Sequence, residues 1–119
     1  MKLAAQIAAA LVALLHVYFM VLEMFLWTKP AGRRAFGTTP EQAEQSKVLA
    51  MNQGLYNGFL AAGLLWGLPR GAAGRTVVVF CLLCVIAAGV FGAATANRKI
   101  LFVQAVPGAI ALGALLMSA

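Results

Sequence analysis

The stretch LAAQIAAALVALLHVYFMVLEMFLW, Leu3 to Trp27, decides the fold of this chain. It is apolar almost throughout, and as a helix it is long enough to cross a hydrocarbon layer of about 30 Å. A strand pattern would alternate polar and apolar residues, and this stretch does not. Within it lie His16 and Glu23. A carboxyl group and an imidazole at membrane depth are costly, and such groups face a partner or a function. His16 is also the single histidine of the protein.

The rest of the sequence repeats the pattern. The chain has 119 residues, 63% hydrophobic and 10% charged, with a mean hydropathy of +0.92. A soluble domain is about half apolar and about a quarter charged. A soluble domain this small has too little interior to hide so many apolar side chains. The long Ala-, Leu- and Gly-rich runs also differ from the short alternating strands of an outer-membrane barrel. The composition therefore predicts an all-α fold, an integral membrane four-helix bundle in one domain. Spans are expected at about 3–28, 48–68, 76–96 and 100–117. The first run has a basic start and an apolar middle, as a signal peptide does. It is too long for one and lacks a small-residue cleavage site, so it is expected to stay as the first span.

Local signals set the boundaries. Lys29-Pro30 closes the first span, because a proline disfavours helix at the residue before it. AGRRAFGTT, residues 31–39, reads as a connection. Thr39-Pro40-Glu41-Gln42 reads as a capping box with proline at the first helical position. Pro69-Arg70-Gly71 ends the second span, and Asn97-Arg98-Lys99 makes a tight polar turn. Pro107 should bend the fourth span by removing a backbone donor and freeing the carbonyl of Val103.

The net charge of +6 is not read as a nucleic-acid signal. Lys29, Arg33, Arg34, Lys47, Arg70, Arg75, Arg98 and Lys99 all fall between apolar runs, where cations meet lipid headgroups. Loops one and three hold six of the cations and the other side three, so the positive-inside rule places those loops in the cytoplasm and both termini outside. Expected partners are membrane lipids and a lipophilic small molecule, with no nucleic acid. Self-association is left open. Gly54/Gly58, Gly63/Gly67, Ala88/Gly92 and Gly89/Ala93 have the four-residue spacing that lets helix backbones approach closely in lipid. Packing within one bundle accounts for them.

Few polar residues remain, and their depths coincide. Glu23, Asn52, Gln53 and Gln104 each lie four or five residues inside an expected cytoplasmic helix end, roughly 6–8 Å deep at 1.5 Å per residue. Tyr56, Asn57 and His16 lie deeper. His16 and Glu23 are seven apart and share a helix face. All seven are expected to point inward and to form a ligand-binding pocket from three spans. Glu23 and His16 are the candidates for acid–base catalysis.

Other chemistry is absent. There is no glycine-rich phosphate loop and no three-member Ser–His–Asp set. One histidine and one intramembrane acid are too few for a metal centre. No cofactor and no metal are expected. Cys81 and Cys84 form C-x-x-C inside the third span and read as buried small hydrophobes, since a quinone-linked thiol oxidoreductase would want a second cysteine pair.

Three segments carry a resemblance: HVYFMVLEMFLW (His16–Trp27), FGTTPEQAEQSKVLAMNQGLYNGFLAAGLLWG (Phe36–Gly67) and GAATANRKILFVQAVPGAIAL (Gly92–Leu112). The chain resembles the small bacterial integral membrane proteins of domain-of-unknown-function family 1304. NQGLYNG (Asn52–Gly58), the pairing of His16 with Glu23, and VQAVPG (Val103–Gly108) are the specific parts. The resemblance implies a four-span helical bundle in the bacterial inner membrane and implies no activity. Three functions are compatible with the residues. The first is a pocket for a lipophilic or amphipathic molecule, with or without proton transfer. The second is an oligomeric proton- or cation-coupled transporter or channel. The third is a scaffold with a purely structural polar core.

If the cysteines are only small hydrophobes, replacing both (Cys81→Ala with Cys84→Ala) leaves the protein's activity intact. A redox-dependent activity that disappears in the double variant would overturn that reading.

Overall fold

A computed structural model describes residues 1–118. Among these residues the chain is all-α, without strands. Helix α1 spans Leu3–Phe25, α2 Pro30–Phe36, α3 Pro40–Gly67, α4 Arg75–Thr95 and α5 Val106–Met117. A 3-10 segment, Leu68–Gly74, joins α3 to α4, and a π-helical turn, Leu101–Ala105, leads into α5. Two helical stretches are long and apolar enough to cross a membrane: Leu3–Phe25 and Pro40–Thr95. The second comprises α3, the 3-10 segment and α4. Leu101–Met117 is apolar but shorter.

The capping box forms as the sequence predicts. Gln42 N–H donates to Thr39 Oγ1 (3.1 Å), and Thr39 N–H donates to Gln42 Oε1 (3.0 Å). Two donors that the helix start leaves without partners are thereby satisfied. Residues 31–39 are not the plain connection expected. Lys29 is extended (φ −83°, ψ 161°), as a residue before proline must be, and Pro30 then starts the short helix α2. Gly37, at φ 66°, ends α2 in the left-handed conformation that glycine adopts without steric cost. The Asn97 turn closes by a bond from Lys99 N–H to Asn97 Oδ1, 2.9 Å. At Pro107 the helix widens. The turn before it is π-helical, with Val106 N–H bonded to Leu101 O, which accommodates the missing donor without ending the helix.

The chain divides into two compact units, one of residues 1–14 with 60–119 and one of residues 15–59. Helices α1 and α3 each contribute residues to both. In the first unit the core is Ala5, Ala9, Val12 and Ala13 of α1, Leu64 of α3, Val78, Cys81, Leu82 and Val85 of α4, and Ala111 and Leu115 of α5. Small residues set its spacing. A Cβ on Gly89 would lie 2.5 Å from Ala105 N, one on Gly67 2.8 Å from Val78 Cγ2, and one on Gly108 2.9 Å from Val85 Cγ1. The backbones of α3 and α5 thus lie directly against α4. In the second unit α2 packs equally tightly, since a Cβ on Gly32 would lie 2.9 Å from Trp27 Cα. Trp27 Nε1 donates to Ser46 Oγ (3.0 Å), and its ring meets that of Phe36 at 4.9 Å between centroids.

Gly89→Val should therefore force α4 away from the turn at Ala105 and cost about 1–3 kcal/mol. Thermal unfolding of the variant against wild type measures it; an unchanged midpoint would contradict the close approach.

Candidate functional site

The site is built in the unit of residues 15–59 on the buried face of α1. His16 is fully buried and Glu23 is 2% exposed. They are two helical turns apart on one face, as their spacing requires. On α3, Ala43, Ala50, Gly54 and Asn57 are all buried and form a stripe at heptad spacing, of which Gly54 and Asn57 face Glu23. Two glycines of α3 make the approach possible. A Cβ on Gly54 would lie 2.6 Å from Met24 Cγ and 3.0 Å from Glu23 Cβ, and one on Gly58 would lie 2.8 Å from Met20 Sδ. With α3 this close, the short Asn57 side chain reaches the acid, and Asn57 Nδ2 donates to Glu23 Oε1.

The bond joins a carboxyl group to a neutral amide across a helix pair, away from water. Burying either group alone would cost several kcal/mol in an apolar surround. Together each supplies part of what the other lost. A carboxyl group can accept several hydrogen bonds, and Asn57 fills one position. His16 meets the edge of Phe19, ring centroids 5.5 Å apart, and its ring lies within the same packed face.

The seven predicted residues are not all gathered inward. His16, Glu23 and Asn57 are buried. Asn52, Gln53 and Tyr56 are exposed on α3, contrary to the expectation that they point inward. The physical reason is helical phase. The buried stripe runs Ala50–Gly54–Asn57, which turns Asn52 and Tyr56 more than 90° away and leaves Gln53 on the flank, at 100° per residue. Gln104 is half-buried and belongs to the other unit. Sequence reasoning missed the part played by Met20, Gly54 and Gly58 in shaping the site. The signal was available: Gly54 and Asn57 are three apart, so the gap left by one lies beside the reach of the other. Among the described residues no group of three His, Cys, Asp or Glu could hold a metal ion.

The family described as "Protein of unknown function (DUF1304)" matches residues 10–116. The chain is also 35% identical over 114 residues to an uncharacterised protein, YpaA, of Lactococcus lactis subsp. lactis (strain IL1403); the alignment covers 94% of this chain and 93% of that one. The chain belongs to this family. No solved structure matches it.

Asn57→Leu should strand the Glu23 carboxyl without its amide donor and cost about 1–3 kcal/mol. Glu23→Leu added to Asn57→Leu should recover much of that loss, because both polar groups then go together. Equilibrium unfolding of wild type and of the single and double variants decides it; a double variant no more stable than Asn57→Leu would show that the two residues do not depend on each other.

Proposed function

We propose that this member of the family is an integral membrane protein of four spans in the bacterial inner membrane. We propose further that Glu23, held by Asn57 and backed by His16, binds a lipophilic or amphipathic small molecule and exchanges a proton with it. The membrane part rests on where the large side chains lie. Leu3, Leu11, Leu14 and Phe25 of α1, Leu49 and Phe59 of α3, Phe80 and Phe91 of α4, and Ile110 and Leu116 of α5 are all exposed, while alanines and glycines fill the contacts between helices. A core helix of a soluble protein would be mostly covered. The most apolar windows of the two long helical stretches are only 33% and 28% buried. Exposed apolar surface on this scale supports a nonaqueous neighbour. The charge bias then puts loops one and three in the cytoplasm.

The functional part is carried by one observation, the burial of a titratable acid where an amide would serve. An interhelical clamp needs only a donor and an acceptor, and two carboxamides would provide both without the penalty of an ionisable group. A carboxyl group adds one property to a clamp, a proton that can leave. Asn52, Gln53 and Tyr56 are outside this reading because they face outward, and Gln104 is outside it because it belongs to the other unit.

Glu23→Gln separates the acid from the clamp, because the glutamine carbonyl can still accept from Asn57 and only the acid is lost. We expect the variant to unfold within a few degrees of wild type but to lose the small molecules that copurify with wild type in mild detergent, as read by mass spectrometry. An identical set of copurified molecules in both proteins would leave the pair as a structural clamp and overturn the binding reading.

A further inference from the structure

The reading of this chain as a membrane protein has a consequence for α3, whose outward face is unlike those of the other helices. The exposed residues of α1, α4 and α5 include Leu11, Phe80, Phe91, Ile110 and Leu116, which lipid tails can cover. On α3 the exposed residues include Asn52 and Gln53, four and five positions beyond Val48, where the apolar part of the helix begins. Neither carboxamide has a side-chain hydrogen bond among the described residues. Tyr56, also exposed, packs its ring on Phe59 at 5.9 Å between centroids. Unpaired carboxamides at that depth are costly, since hydrocarbon offers neither donor nor acceptor.

The spacing gives these groups an arrangement. Gln45, Leu49, Asn52, Tyr56 and Phe59 recur at intervals of four, three, four and three residues, so they form a straight seam along α3. All five are exposed. The seam lies roughly 140° around the helix from the Ala43–Ala50–Gly54–Asn57 stripe, at 100° per residue. A partner could occupy it without disturbing the Glu23 contact.

We propose that this seam pairs with the same seam of a second copy of the chain about a two-fold axis, the Asn52 carboxamides meeting across it. The occupant follows from the chemistry. A carboxamide is both donor and acceptor, and so complements itself. A two-fold axis brings each residue opposite its own copy, which supplies donor and acceptor together. Lipid chains supply neither, and an acidic or basic partner would satisfy only half of each amide. A polar residue such as Asn52, set between apolar neighbours of a helical seam, also fixes register and pairing.

The test is cross-linking in native membranes, with Leu49→Cys in a Cys81→Ala, Cys84→Ala background and copper phenanthroline as oxidant. Leu49 is on the seam and leaves Asn52 in place; Leu116→Cys, on the exposed side of α5, is the comparison. We expect a disulfide-linked species of twice the chain mass for Leu49→Cys and none for Leu116→Cys. Adding Asn52→Leu should lower the association constant roughly tenfold, the effect of one interhelical polar pair. Because Asn52 is exposed within its own chain, that variant and wild type should unfold at the same temperature when both are diluted to monomers. Equal cross-linking at both cysteines, insensitivity to Asn52→Leu, or an adduct of any mass other than two chains would overturn the pairing. A carbonate wash keeps the two proposals apart: a protein released from the membrane pellet refutes the membrane reading and this one with it, whereas a retained protein that stays monomeric refutes only the seam.

Discussion

The contact between α1 and α3 at Glu23 and Asn57 constrains the unit around it. A carboxyl group cannot sit in a dry helix interface unless a donor reaches it, and a short amide reaches it only if the backbones nearly touch. Gly54 provides that approach, with Glu23 Cβ and Met24 Cγ occupying the space a side chain would need. Gly58 admits Met20 in the same way one turn later. The polar pair and the glycines are therefore one device. Lengthening either glycine would separate the groups, and removing either group would leave the other buried at a cost of a few kcal/mol.

The same use of small residues continues where no polar group demands it. In the unit of residues 1–14 and 60–119, α4 is approached on one side by Gly63 and Gly67 and on another by Gly108, with Gly89 of α4 itself against the turn at Ala105. Large apolar side chains are mostly displaced to the outside by this arrangement. In water that distribution would be unfavourable, because the hydrophobic effect rewards burial of exactly those residues that are left out. In lipid the tails are as apolar as leucine, so association is governed by close packing and interhelical hydrogen bonds.

Much of this organisation was legible in the sequence, because it depends on short-range chemistry. The Thr39–Gln42 capping box, the break at Pro69–Gly71 and the Asn97 turn each rest on a few adjacent residues with one favoured geometry. The family and the all-α class were likewise legible. Helix α2 was not, because Ala31-Gly32-Arg33-Arg34 has no apolar stripe and its helix depends on Pro30 and on Gly32 packing against Trp27. Of the polar residues, His16 and Glu23 were correctly placed on one face. Spacing alone could not say which way α3 turns its faces. It gives angles between residues but not the direction of the neighbour, and Asn52 and Tyr56 fall on the far side of the helix from Asn57. The glycine at position 54 marks the near side, because only a contacting backbone needs the missing Cβ.

The π-helical turn at Leu101–Ala105 carries a consequence for how this chain tolerates length changes. A wide turn holds one residue more than an α-helical path over the same rise. Everything after it is thereby rotated by about 100° relative to a continuous helix. Gly108, Ala111 and Leu115 owe their buried positions to that offset. A deletion of a single residue between 101 and 105 would let the wide turn close to an ordinary α-helical one and keep those three in the core, whereas closing the turn without a deletion would rotate them out and bring exposed Ile110 in. Substitutions in this segment are a matter of fit, but its residue count is part of the code that phases the last helix.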